Sequence, residues 1–325
     1  MGRHARRRRL SSAAEGTEQG VVLHGTGGIW HVRTASGADR EASLRGRLKQ
    51  ESKQDNALKL AVGDRVTIEP IDASVSWAIS EIHERTSSLS RRSPGSGRTE
   101  RVVAANVDQV VVVFAMVKPE PHPRMLDRFL TIAEANDLAA RIVINKVDLA
   151  SEEAARDRFK AYEKAGYAMH YTSTKAQRGL VELREALQDR ISVFSGPSGV
   201  GKSSLLNALY PGLSLRVGEI SESVNKGRHT TVGAFMHPLP GGGYVVDTPG
   251  LREVGMWGIV ASELDHCFPE IRALRDGCRF ADCTHRAEPE CAVRSAVDSG
   301  LVDRERYDSY LKLREELESA EEGQW

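Results

Sequence analysis

The sequence predicts an α/β fold in three parts: a small β-barrel, an open α/β sheet, and a helical region around a Cys/His cluster. Three observations predict it. Short apolar runs broken by glycine fill residues 20–90. From residue 102 onward, β-branched runs alternate with stretches of helical periodicity. All four cysteines, Cys267, Cys278, Cys283 and Cys291, fall near the C-terminus.

The barrel is read from Val21 to Leu23, Ile29 to Val32, Asp64 to Ile68 and Trp77 to Ile82 as strands, with glycine turns between them. Several short strands in so few residues suit an OB-type barrel, and an SH3-like barrel would share the pattern. Residues 1–19 read as a disordered tail, with Arg3 and Arg6 to Arg9 followed by small polar residues. Net charge is zero but unevenly spread: residues 1–101 carry 18 Lys+Arg against 12 Asp+Glu, and the remainder 27 against 33. Any nucleic-acid contact is therefore expected from the N-terminal third, unless the arginine run is only a solvated tail. No apolar core follows the arginines and no run nears about 18 apolar residues, so neither a secretory signal nor a membrane span is expected. The expected location is the cytoplasm. Residues 91–101 read as a polar linker.

The sheet opens with Gln109 to Ala115, a continuous β-branched run of the kind buried on both faces of a parallel sheet. Helical periodicity follows over 125–137, then the strand Ile142 to Ile144, a charged helix over 152–165, a strand near Met169 to Tyr171 and a helix near 179–189. Ile191 to Phe194, Lys202 to Leu209 and Tyr244 to Val246 continue as strand, helix and strand. Such alternation argues for an open α/β sheet over 102–257, with a mostly helical domain over 258–325.

Gly196, Pro197, Ser198, Gly199, Val200, Gly201, Lys202 and Ser203 match the phosphate-loop pattern, with a strand before and a helix, starting Lys202-Ser203-Ser204, after. Glycines let backbone N–H groups turn toward phosphates, and the helix adds the positive end of its dipole. Lys202 is expected to reach the β- and γ-phosphates and Ser203 to ligate Mg²⁺. The loop alone does not choose between ATP and GTP. Asp247 to Gly250 (Asp-Thr-Pro-Gly) follows a strand, where Asp247 can hold Mg²⁺ through water and the Gly250 amide can sense the γ-phosphate.

The base is chosen by Asn145, Lys146, Val147 and Asp148, directly after Ile142 to Ile144. The Asp148 carboxylate can accept both N1–H and N2–H₂ of guanine, a donor pair that adenine lacks. Lys146 would lie along the base and Asn145 would brace the loops. Thr172 to Lys175, including Ser173, fits the loop that touches the guanine oxygen. In the loop 221–233, Thr230 or Thr231 would complete the Mg²⁺ shell. The glutamine that often follows Asp-x-x-Gly to orient water is absent, since Leu251 follows Gly250.

Cys278-x4-Cys283-x-His285-x5-Cys291 supplies three thiolates and an imidazole, a ligand set for one closed, structural Zn²⁺. Cys267 reads as a buried thiol, with metal ligation the lesser alternative. Arg304 to Glu318 reads as an amphipathic helix, packed on the zinc region or contacting a partner.

The base motifs precede the phosphate motif, the reverse of ordinary small GTPases. This order, with a barrel before it and a Cys/His cluster after it, resembles the circularly permuted bacterial GTPases of the ribosome small subunit-dependent GTPase A family (RsgA, also YjeQ). The resemblance rests on Asn145 to Asp148, Ser173 to Lys175, Gly196 to Ser204, Gly227 to Thr231, Asp247 to Gly250 and the cysteines, and spans nearly the whole chain from residue 20. It implies a circularly permuted P-loop GTPase domain, late maturation of the small (30S) ribosomal subunit, GTP turnover stimulated by that subunit, and an OB-fold that contacts rRNA. It also suggests that His229 orients the attacking water. A monomer binding GTP and GDP is expected. A GTP-switched RNA-binding module with incidental hydrolysis and a large-subunit assembly GTPase are the rival readings.

Overall fold

The computed structural model describes residues 16–54, 59–71, 76–92, 100–213, 215, 234–247 and 259–322. Residues 1–15 of the expected tail and 93–99 of the expected linker lie outside these. Strands β1 (Glu18–Thr26), β2 (Ile29–Thr34) and β3 (Asp39–Leu44), helix α1 (Gly46–Gln54), and strands β4 (Arg65–Pro70) and β5 (Trp77–Ile82) come first. The five strands close into a barrel in the order β1-β2-β3-β5-β4. Period-2 alternation sends Val22, Val32, Ala42, Val66, Ile68 and Ile79 inward, where all are buried. The β3–β5 pair is parallel, so the chain must cross over through α1 and β4 between them. That crossover decides for the OB type. Strand β3 and α1 were not expected. The β3 segment has charges at Asp39, Arg40 and Glu41 and few apolar residues, so its pairing with β2 and β5 makes it a strand.

Strands β6 (Ser88–Arg92) and β7 (Glu100–Ala105) pair antiparallel, so both ends of the stretch read as a polar linker, residues 91–92 and 100–101, are strand instead, ordered by their cross-strand pairing. Asn106 fastens this ribbon's exit to the barrel. Its Nδ2 donates to the Gly63 carbonyl at 2.9 Å, and its Oδ1 accepts from the Thr86 amide at 3.0 Å.

The sheet comprises β8 (Gln109–Ala115), β9 (Ala139–Asn145), β10 (Ala168–Tyr171), β11 (Ile191–Ser195), β12 (Phe235–Pro238) and β13 (Tyr244–Asp247). Helices α2 (Pro123–Glu134), α3 (Glu152–Lys164), α4 (Leu180–Leu187) and α5 (Lys202–Leu209) connect its strands. The order is β10-β9-β8-β11-β13-β12, parallel except for β12 against β13. All of β8 is buried, because its alternate residues serve opposite faces. Val110, Val112 and Phe114 pack with Leu126 and Phe129 of α2, while Val111 and Val113 pack with Leu183 of α4 and Leu205 of α5. The site residues thus sit at strand ends of a central, doubly covered sheet.

Beyond residue 259 come a 3₁₀ turn (Ala261–Cys267), α6 (Pro269–Arg272), α7 (Ala292–Asp298) and α8 (Arg304–Glu322). Tyr307, Tyr310, Leu313 and Leu317 of α8 bury one face against Leu264, Phe268 and Ile271. Helix α8 also docks on the sheet domain. Arg306 is buried between Asp127 of α2, at 2.5 Å, and Glu270 of α6, at 2.7 Å. Its guanidinium lies over the rings of Phe268 and Tyr162. Glu316 pairs with Arg128 of α2 near the outer end. Among the described residues, no helix is long and apolar enough to cross a membrane.

Candidate nucleotide site and metal centre

Strand β11 is apolar enough to be buried throughout, and it ends at Ser195 where the glycine-rich loop begins. Gly196, Gly199 and Gly201 all have positive φ, at 130°, 79° and 94°. Gly201 also lies against the base loop: a Cβ there would stand 2.7 Å from Nδ2 of Asn145. Lys202 and Ser203 open α5 in buried positions. The Lys202 ammonium donates to the carbonyls of Gly196 and Pro197, both at 2.7 Å, and so stands across the mouth of the loop. No acidic residue sits in the first turn of α5 to oppose the positive helix end. Val200 is buried, Ser198 and Gly199 are exposed, and Ser204 is partly buried.

Asn145 ends β9, next to the loop through the β8–β11 pairing of the sheet. Its Nδ2 donates to the Val200 carbonyl at 3.0 Å and its Oδ1 accepts from the Thr172 hydroxyl at 3.2 Å. One buried amide therefore ties together the base loop, the phosphate loop and the loop after β10. Lys146 adopts a left-handed conformation (φ 60°) and its Nζ donates to the Gly199 carbonyl at 2.6 Å. It also donates to the Lys118 carbonyl. Val147 is buried and donates its amide to the Thr172 carbonyl. The Ser173 hydroxyl donates to Asp148 at 2.6 Å, which orients an exposed carboxylate. Lys175 is exposed on the same loop. Asn145, Lys146, Asp148 and Ser173 are thus gathered beside Gly199 to Lys202.

Asp247 ends β13 in register with Phe194 of β11, the residue just before Ser195 and the loop. Ser203 and Asp247 offer the hard oxygen donors that suit Mg²⁺. His229, Thr230, Thr231 and Gly250 lie outside the described residues. A cavity of about 440 Å³ borders Gly196 to Ser198 on the side of α2 and the Glu316 end of α8. Nothing in the sequence signalled it, because it forms where segments far apart in the chain pack together.

Cys278, Cys283, His285 and Cys291 bring their ligand atoms within 4.8 Å of one another. Cys278 and Cys291 sulfurs are 3.9 Å apart, and Nδ1 of His285 lies 3.6 and 3.5 Å from them. Tetrahedral coordination at usual Zn bond lengths gives edges of about 3.8 Å between sulfurs and about 3.5 Å from sulfur to nitrogen. The donor set therefore fits one tetrahedral ion. Glu288 shapes the loop that carries His285 by accepting from the Thr284, Arg286 and Ala287 amides. Desolvation alone would raise its carboxyl, but the hydrogen bond from the Thr284 hydroxyl, with those from backbone amides, lowers it to about 2. Cys267 stands apart from the cluster, buried, with burial raising its thiol to about 12.

The chain matches the family model described as RsgA GTPase over residues 82–257, more than half its length. The chain belongs to the RsgA GTPase family. It is 60% identical over 299 residues to the small ribosomal subunit biogenesis GTPase RsgA of Gemmatimonas aurantiaca, covering 92% of this chain and 97% of that one. The RsgA of Bacteroides fragilis is 38% identical, covering 94% and 98%. Among solved structures, YjeQ from Thermotoga maritima superposes with a TM-score of 0.76 at 36% identity, covering 93% and 98%. YloQ, described as a circularly permuted GTPase, gives 0.74 at 31% identity, covering 97% and 99%. Like other RsgA GTPases, this chain is a GTP-hydrolysing enzyme on a circularly permuted sheet.

Proposed function

We propose that this RsgA-family chain hydrolyses GTP in the late maturation of the small ribosomal subunit, and that the subunit stimulates hydrolysis. The observation that carries the reading is the joining of base and phosphate loops by Asn145, in a chain this similar to small-subunit biogenesis GTPases. Asp148, oriented by Ser173, accepts the N1–H and N2–H₂ donors of guanine. Lys146 lies along the base, and Lys175 flanks the guanine oxygen. Lys202 turns from the loop carbonyls to the β- and γ-phosphates, which the amides of Gly196 to Ser204 surround. Ser203, Thr231 and Asp247 hold Mg²⁺, with Thr230 the alternative to Thr231. When bound, Mg²⁺ neutralises charge on the phosphate oxygens. His229 orients the attacking water, and the Gly250 amide senses the γ-phosphate.

Cys278, Cys283, His285 and Cys291 hold one structural Zn²⁺. The barrel and the basic tail contact rRNA, and the protein works as a monomer in the cytoplasm. Steady-state GTP turnover, measured alone and with purified small or large subunits, tests the reading. Stimulation by small subunits alone is expected, with His229→Ala losing the stimulated rate while GTP affinity stays within about twofold. Equal turnover with and without subunits would favour a GTP-switched RNA-binding module, and stimulation by large subunits would favour large-subunit assembly.

A further inference from the structure

Beside the metal centre, two buried polar groups face each other. Nε2 of His285 and Oδ1 of Asp265 have no hydrogen-bond partner among the described residues. Nε2 lies 3.7 Å from the other carboxylate oxygen, Oδ2, with side-chain exposures of 1% and 5%. The opposite ring nitrogen, Nδ1, is the one that faces the Cys278 and Cys291 sulfurs. The His285 backbone is held: it has φ 62° and its carbonyl accepts from the Tyr307 hydroxyl at 2.5 Å. Asp265 is held too, with Nε of Arg275 3.0 Å from Oδ2.

We propose that Asp265 is a positioning residue for the metal centre, accepting a hydrogen bond from Nε2–H of His285 and so directing the Nδ1 lone pair at the ion. The proposal rests on the reading of the four-residue cluster as a zinc site. A neutral imidazole carries one N–H and one lone pair. An ionised carboxylate only accepts, so its presence at Nε2 puts the proton there and the lone pair on Nδ1. Closing 3.7 Å to a normal hydrogen bond takes a shift of under about 1 Å. Asp265 lies in the turn Ala261–Cys267, which leads the chain from the sheet domain into the helical region. The same bond therefore ties that turn to the metal.

The test uses the full chain and zinc alone, with affinity read by chelator competition. Asp265→Ala is expected to weaken zinc binding about 10- to 100-fold, Asp265→Asn less, and Arg275→Gln least. In a His285→Cys background, which has no Nε2, Asp265→Ala should change affinity less than about twofold. An equal loss in both backgrounds marks a merely structural role and overturns the proposal. A loss under about twofold in the parent chain does the same. Nitrogen-15 spectra of the zinc-loaded, histidine-labelled chain give an independent decision: an Nδ1-liganded, Nε2-protonated His285 is expected, and an Nε2-liganded ring overturns it. A parent chain that takes up no zinc defeats the zinc reading itself, which distinguishes the two failures.

Discussion

Replacing Arg306 with Met removes a buried cation from the joint between α2, α6 and α8. The Asp127 side chain is 0% exposed and Arg306 is 3% exposed, whereas Glu270 at 12% keeps some water. Methionine fills much of the same space against Phe268 and Tyr162, so the cavity contribution is small. The charge effect dominates. Breaking a buried pair by removing one partner costs about 3–5 kcal/mol. Urea unfolding followed by far-ultraviolet circular dichroism should therefore show a loss of about 4 kcal/mol at pH 7. Adding Asp127→Leu should recover most of the loss, because no orphan charge then remains. A loss under about 1 kcal/mol at pH 7 would refute a desolvated Asp127–Arg306 pair.

Asp148→Asn should weaken GTP binding about 100-fold or more, since an amide cannot accept from both guanine donors; equilibrium titration with a fluorescent GTP analogue measures it, and unchanged affinity would remove Asp148 from the base site. Cys283→Ser should abolish stoichiometric zinc by atomic absorption, and chelating zinc from the parent chain should raise hydrogen exchange over residues 261–303 while GTP binding persists; full zinc in the variant contradicts the ligand set. His170 gives a pH dependence. Burial, and then the charge of Arg141, lowers its pKa to about 4. The unfolded value is about 6.5, so between these values the unfolded chain binds the extra proton. Stability from neutral His170 is present in full above pH 6.5 and is lost as pH falls through 4. Discounted for partial exposure, the effect is about 1–2 kcal/mol. His170→Gln should flatten the rise of unfolding free energy over that window, and an unchanged slope would contradict the assignment.

The chemistry was legible where it is written in short local patterns. The loop needs positive φ at Gly196, Gly199 and Gly201, which glycine adopts without strain. Gln109 to Ala115 announces a strand buried on two faces because it has no polar alternation. The four candidate metal ligands, Cys278, Cys283, His285 and Cys291, fall within one short segment. Strand β3 was illegible because it opens with three consecutive charges, Asp39, Arg40 and Glu41, and its pairing partners supply its order. His31, His83 and His170 showed no partners in the sequence. The fold gives His31 a stacked His24 at 4.0 Å, His83 the Thr67 hydroxyl at 2.8 Å, and His170 a nitrogen of Arg141 at 2.9 Å.

By itself, the sequence determined the class of chemistry, the base preference, the permuted order and the candidate metal cluster. Each is read from short motifs whose geometry the local backbone dictates, and the permuted order from the sequence in which those motifs occur. The tertiary structure alone decided that Asn145 reaches the phosphate loop 55 residues away, that Arg306 is buried between two carboxylates, and that Asp265 faces His285. A charged residue in an amphipathic helix reads as solvent-facing until another segment packs over it. Hydrogen bonds between distant segments come into being only when the sheet and helices bring them together.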